Sequence, residues 1–74
     1  MTTKEFMVWF CVNKDGFICM FADEPKRNTE TKKWDSKFPF VNSILYDQII
    51  KIVENAKMTW ENDPEIITFQ LGQQ

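Results

Sequence analysis

The chain has 74 residues, of which 43% are hydrophobic, and its nine basic and eleven acidic residues give a net charge of −2. This length predicts one domain that buries only about 60% of its surface on folding. The small net charge argues against a dedicated nucleic-acid binder. The apolar run near the N-terminus is too short and interrupted for a signal peptide, and no stretch reaches the ~20 apolar residues of a membrane span. We therefore expect a cytoplasmic protein without membrane contact.

Two apolar runs, about 5–12 and 17–23, flank Asn13-Lys14-Asp15-Gly16 and predict a β-hairpin. Their aromatic and β-branched residues suit a pleated, buried surface. Gly16 can adopt the positive φ that closes a three-residue loop. Such a loop sets the register, in which the opposed pairs are Trp9 with Phe21, Phe10 with Met20, Cys11 with Cys19, and Val12 with Ile18.

Side chains alternate between the two faces of this hairpin. We call the side that carries Met7, Trp9, Cys11, Cys19 and Phe21 the cysteine face. The opposite face carries Phe6, Val8, Phe10, Val12, Ile18, Met20 and Ala22. A sheet with one solvated face normally alternates apolar with polar residues, but here both faces are apolar. Either the chain itself covers both faces, or a second molecule covers one of them.

The next segment predicts a polar loop and then an edge strand. Pro25 cannot donate to a ladder, so it either ends the second strand or lies on a sheet edge, and residues 24–31 form the loop. A third strand follows at about 32–38, with Trp34, Ser36 and Phe38 on one side. Lysines on its other side discourage pairing with foreign strands, as is typical of a sheet edge.

An amphipathic helix is predicted for about 43–57. Asn42 is a suitable N-cap, and Val41 and Tyr46 have the spacing of a hydrophobic staple. Apolar residues recur at helical spacing, at Ile44, Leu45, Ile49, Ile52, Val53 and Ala56. This stripe would cover one face of the hairpin.

Alternation of apolar and polar residues predicts a fourth strand over 65–71, with Ile67, Phe69 and Leu71 facing inward. The complete pattern is β-β-β-α-β. It indicates an α+β domain with a small, mainly antiparallel sheet and the helix packed on one face. Our expected strand order is 3-2-1-4.

Several residues together resemble a known group of proteins: Asp15-Gly16, Phe21, Pro25, Arg27, Trp34, Thr59-Trp60-Glu61 and Pro64, followed by an alternating terminal strand. The chain resembles a loose group of very short uncharacterised proteins of gut bacteria, their phages and other mobile elements. This resemblance spans most of the chain. It implies a small accessory protein of phage origin and no particular activity.

Few residues suggest chemistry. The chain has no histidine, only two scattered glycines, and no second cysteine pair for zinc, so we expect neither an enzyme nor a cofactor or metal. Cys11 and Cys19 are predicted to be buried thiols, with a cross-strand disulfide as the alternative. The acidic residues around Pro64 lack the pattern of a calcium loop and fit a solvated loop.

The two-sided apolar hairpin therefore predicts a non-enzymatic protein-interaction module that associates with itself through an apolar sheet face or edge, as a homodimer. An effector that binds a host protein is the alternative. Four large apolar residues are candidates for partner binding: Met7, Trp9, Phe21 and Trp60. For Trp60, a buried position at the junction of sheet and helix is the competing prediction.

A second alternative is weak binding of single-stranded nucleic acid. The residues would be Lys26, Arg27, Lys32, Lys33 and Trp34. In this hypothesis the cations contact phosphates while bases stack on the indole. Acidic residues interleave with these cations, which makes nucleic acid an unlikely partner, and a solvated charged edge strand with a core tryptophan is the simpler interpretation.

Overall fold

The computed structural model describes residues 3–72, and side-chain environments for residues 5–70. The predicted α+β class is confirmed. The elements are β1 (Thr3–Val12), β2 (Ile18–Phe21), β3 (Lys26–Asn28), β4 (Lys33–Asp35), α1 (Ser43–Ala56) and β5 (Glu65–Gly72).

The β1–β2 hairpin has the predicted register in all four pairs. Its loop is closed by two backbone bonds: the Asn13 N–H donates to the Phe17 carbonyl at 2.8 Å, and the Gly16 N–H donates to the Asn13 carbonyl at 2.9 Å. Gly16 has φ of 93°, a conformation that side chains disfavour. The Phe17 N–H is satisfied by the Asp15 carboxylate at 2.9 Å. Local turn chemistry therefore fixes which side chains share a face.

The main sheet has three antiparallel strands in the order β2-β1-β5. The second and last strands flank the first, as expected. The alternation predicted for β5 is also confirmed, because Phe69 is buried and Ile67 packs against the core, whereas Thr68 and Gln70 are exposed. The predicted inward position of Leu71 lies outside the described side chains.

The prediction for residues 24–38 is wrong in two respects. Part of the expected loop forms β3, and the expected edge strand is the shorter β4, which pairs with β3 in a separate two-stranded sheet. β4 ends at Asp35, and the chain then turns toward β2. Phe38, which we expected inside the third strand, is exposed. Here the Ala22 N–H donates to the Phe38 carbonyl at 2.7 Å. Residues 38–40 thus occupy part of the edge position that we expected for 32–38.

The helix begins as predicted, with the Asn42 Oδ1 accepting from the Leu45 N–H at 2.9 Å. The predicted hydrophobic staple is wrong, because Val41 is 90% exposed. The ring of Phe40 lies 5.9 Å from that of Phe6. Because successive side chains of an extended segment point to opposite sides, the side chain of Val41 points away from the core. Ile44, expected in the apolar stripe, is also exposed, at 65%.

Side chains of α1 cover the opposite face of the hairpin. The buried core on this side consists of Val8, Phe10, Val12, Met20, Leu45, Ile49, Val53, Met58 and Phe69. Burial of a side chain of this size stabilises a fold by about 1.5–3 kcal/mol. The chain itself therefore shelters one of the two apolar faces. Within residues 3–72, no helix is both long and apolar enough to cross a bilayer.

The C-terminus of α1 is closed by a left-handed residue, Lys57, with φ 53° and ψ 45°. The Lys57 N–H donates to the Glu54 carbonyl at 3.3 Å, and the Met58 N–H donates to the Val53 carbonyl at 3.0 Å. These are the two bonds of a Schellman motif, in which the apolar residues at C″ and C3 normally touch. Met58 and Val53 occupy those positions, and both are buried in the core.

Replacement of Lys57 by glycine is expected to raise the free energy of unfolding by about 0.5–1 kcal/mol, because glycine avoids the Cβ strain of the left-handed conformation. Urea denaturation followed by circular dichroism measures the change. Lys51→Gly is the matched control, because Lys51 is exposed in the interior of α1. There glycine should lower stability by about 1 kcal/mol. A loss of stability in both variants would contradict this account of the helix end.

Candidate interaction surface

The cysteine face of the hairpin is covered in part by the chain's own tryptophans. Cys11, Phe21 and Trp34 are buried together, and Cys19 and Trp60 pack against them. The Trp34 and Trp60 rings meet edge to face, with their centroids 5.5 Å apart. This geometry is favourable for aromatic pairs. The two indoles therefore shelter the half of the cysteine face nearest the hairpin loop.

Trp34 is held in place by directional bonds to the first hairpin. Its indole Nε1–H donates to the Val12 carbonyl at 2.9 Å, and its backbone N–H donates to the Asn13 Oδ1 at 2.9 Å. Asn13 is buried, so loss of its amide would leave a buried donor without a partner. The Lys14 N–H adds a bond to the Lys32 carbonyl at 3.1 Å. These contacts fix β4 against the C-terminal end of β1.

Arg27 joins β3 to the segment that precedes β5. Its guanidinium carbon lies 4.5 Å from the ring centroid of Trp34 and 5.3 Å from that of Trp60. Its Nη2 donates to the Trp60 carbonyl at 3.0 Å and to the Asn62 carbonyl at 3.3 Å. The nearby Asp63 carboxylate, at 3.9 Å, is almost fully exposed and adds little. Arg27 thus serves the fold through stacking and carbonyl contacts.

This arrangement uses two residues that the nucleic-acid alternative requires. The ring of Trp34 is buried, so it offers no face on which a base can stack, and the Arg27 guanidinium is occupied by two carbonyls. Lys26, Lys32 and Lys33 remain exposed. The geometry therefore leaves charge at this surface but buries Trp34, the residue that this alternative requires for stacking.

The four residues predicted for partner binding fall into two pairs. Phe21 is buried, with 9% of its surface exposed. Trp60 is half-buried and packs on the cysteine face, whereas we expected it either at the sheet–helix junction or as a free anchor. Met7 remains 63% exposed, and Trp9 is half-buried. Phe21 and Trp60 thus belong to the packed cluster on the cysteine face, whereas Met7 and Trp9 lie outside that cluster.

Met7 and Trp9 have neighbours on β5 that sequence reasoning did not assign to a site. The register pairs Met7 with Thr68 and Trp9 with Ile66, so these four side chains share the cysteine face. Ile66 is 44% exposed. At the border of the group, the Gln70 side-chain amide donates to the Glu5 carboxylate at 2.8 Å. We call Met7, Trp9, Ile66 and Thr68 the open patch.

The open patch borders the outer edge of β5. The backbone N–H and C=O groups of successive residues in a strand point to opposite sides. Those of Asn13 point toward β2, so the odd-numbered residues of β1 bond to β2, and even-numbered residues such as Val8 bond to β5. Their β5 partners are odd-numbered, as in the pair of Val8 with Ile67. The backbone N–H and C=O groups of Ile66, Thr68 and Gln70 consequently point outward. Within residues 3–72, no strand pairs with this edge.

The two cysteines face each other across β1 and β2 as free thiols. Burial raises the pKa of the Cys11 thiol to about 12, and the neighbouring Cys19 contributes in the same direction. Burial also raises the pKa of Cys19, although a hydrogen bond from the Asn13 side chain opposes the shift. Both groups are therefore protonated at neutral pH, which makes them poor nucleophiles.

No protein-family model, curated protein or solved structure matches the chain. In the part of the chain that the structure describes, no group of three or more cysteine or acidic side chains has an arrangement that could hold a metal ion. The physical character of the open patch and the β5 edge is therefore the guide to function.

Arg27→Lys should lower the free energy of unfolding by about 1 kcal/mol, because an ammonium group cannot stack on both indoles and reach both carbonyls. Tryptophan emission should also shift to longer wavelength as Trp60 becomes more hydrated. Urea titration with fluorescence detection measures both effects. Lys26→Gln is the control, since Lys26 is an exposed neighbour in β3, and it should leave stability and emission unchanged. Equal effects of the two substitutions would refute the role of Arg27.

The raised pKa of Cys11 predicts a loss of stability in alkali. Above pH 9.0, the ordinary pKa of a thiol, the unfolded state releases this proton, whereas folded Cys11 retains it up to about pH 12. The unfolded state then binds fewer protons, so the free energy of unfolding falls as the pH rises between these values. Urea titrations on the two sides of pH 9 measure the slope, which should be shallower in Cys11→Ala. Equal slopes for the two proteins would exclude this contribution.

Proposed function

We propose that this protein is a non-enzymatic interaction module that pairs with a second copy of itself through the outer edge of β5. The observation that carries the proposal is an eight-residue edge strand, Glu65–Gly72, which pairs with β1 on one side and has no paired strand on its outer side in the described chain. Backbone groups along such an edge pair readily with another strand. Natural edges usually carry lysine or proline to prevent this pairing, and β5 contains neither.

The symmetry of a dimer suggests one register. Antiparallel self-pairing of β5 about a two-fold axis would place Thr68 opposite Thr68 of the second copy, in an outward-bonding position. Ile66 would then lie opposite Gln70 of the second copy, and no like charges would face each other across the strands. The two three-stranded sheets would join into one of six strands. Both open patches would lie on the same side of this joined sheet.

The open patch supports the same interface. Exposed Ile66 lies on the edge strand itself and exposed Met7 on the adjacent strand β1. The side chain of Ile66 gains cover when a second sheet continues past β5. Edge pairing buries less surface than the ~1,600 Å² of a standard interface, so we expect a weak, micromolar dimer. Two free thiols fit a reducing compartment, and the proposal therefore places the protein in the cytoplasm.

Thr68→Lys tests this function, because it would place two ammonium groups opposite each other at the two-fold axis. Sedimentation equilibrium should give a mass that rises with concentration from 8.9 kDa toward twice that value. The substitution should raise the dimer Kd at least about 10-fold, which corresponds to about 1.4 kcal/mol.

Gln48→Lys is the matched control, since it adds the same charge on the exposed side of α1 and should leave the dimer Kd unchanged. Circular dichroism of the monomer establishes that each variant is folded. A wild-type protein that remains monomeric at about 500 μM would rule out self-association in this affinity range. A dimer that Thr68→Lys does not weaken would place the interface on another surface.

A further inference from the structure

An apolar groove lies at the other edge of the main sheet, between β2 and the start of α1. Its volume is about 450 Å³, which is within the range of ligand-binding pockets. Its eleven lining residues are 17–21, 39–43 and Tyr46. None of these side chains belongs to the open patch or to β5. The groove is therefore a separate surface from the proposed dimer interface.

The groove exists because residues 38–40 follow β2 for only part of its length. The Phe40 N–H donates to the Met20 carbonyl at 3.2 Å, and then the chain turns away to the helix cap at Asn42. Backbone groups of β2 alternate in direction, so Ile18 points outward in the same way as Met20. Among the described residues, no backbone group bonds to Ile18 on this side. Half of the β2 edge is thus open at the floor of the groove.

The charge of the lining restricts what can bind. None of the eleven residues is charged, so a charged occupant would lose its water without gaining a counter-ion. The Asn42 Oδ1, a polar atom in the wall, is already occupied by the Leu45 N–H. The complementary occupant is therefore uncharged and predominantly apolar.

The open backbone of Ile18 distinguishes a peptide from a hydrocarbon. A hydrocarbon over this position would bury an N–H and a C=O without partners, at a cost of about 1–3 kcal/mol for each group. An extended peptide supplies both partners by adding to the strand edge, while its alternate side chains enter the groove. We propose that the groove binds an extended, uncharged, apolar peptide segment of a partner protein.

The rim of the groove provides further contact area for such a segment. Phe17 is 61% exposed on the β2 side, and Val41 is 90% exposed on the other side. Large apolar residues that are exposed on both sides of one groove form a contiguous patch of the kind that marks interaction sites. A bound peptide would cover the side chains of Phe17 and Val41. Because β2 and β5 are at opposite edges of the sheet, this site remains accessible in the proposed dimer.

A blocked tetrapeptide, acetyl-Thr-Val-Phe-Thr-amide, is the probe for this site. Titration into the ¹⁵N-labelled protein should shift the amide resonances of Ile18, Met20 and Phe40. The same peptide with its two central amides N-methylated lacks the donors and should bind at least about 10-fold more weakly, a loss equivalent to about 1.4 kcal/mol.

Val41→Asp should weaken binding of the tetrapeptide at least about fivefold by adding a charge to the rim. Ile44→Asp is the matched control, because Ile44 is similarly exposed at the start of α1 but does not line the groove, and it should leave the affinity unchanged. Toluene serves as the hydrocarbon probe. Equal binding of both peptides, a stronger response to toluene, or no shift at about 5 mM peptide would each overturn the proposal.

Discussion

The register of β1 against β2 is set by the three-residue loop between them, and it determines the surroundings of every side chain on both strands. Phe10 and Met20 lie together on one face, and Cys11 and Cys19 lie together on the other. A shift of one residue would exchange these faces. Because both sets are apolar, the remaining chain must provide two separate covers for one hairpin.

The two covers are built by different kinds of interaction. On the helix side, α1 packs side chains such as Leu45 and Ile49 into a continuous core, where non-directional burial supplies the stability. On the cysteine face, two strands of three residues are too short to be stable alone. They depend on directional contacts, in which Trp34 bonds to the first hairpin and Arg27 stacks on two indoles. The second cover therefore depends on a few side chains that each make several contacts, such as Trp34 and Arg27.

Local sequence signals were sufficient for the elements that local chemistry controls. Gly16 indicated the loop and Asn42 the helix start, and the alternation after Pro64 indicated β5. The β3–β4 sheet could not be predicted in this way, since polar residues dominate it and its position depends on Asn13, which is 21 residues from Trp34. For the candidate site, the alternation of side chains along β1 was sufficient to place Met7 on the cysteine face. The expected strand order placed the last strand at an edge, but its residues were not assigned to the site, because the pairing of Met7 with Thr68 and of Trp9 with Ile66 depends on a long-range register.

The unequal lengths of β1 and β2 have a consequence for assembly. β2 ends opposite Trp9, so odd-numbered β1 residues before it, such as Met7, direct backbone groups toward a side that no described strand occupies. This free part of β1 is unlike the free edge of β5, because it belongs to the central strand of the sheet. Pairing of β5 with itself is isologous and stops at two copies, whereas pairing of β5 with this part of β1 is heterologous and lets chains propagate. The relative strength of these two contacts would decide between a closed pair and a filament.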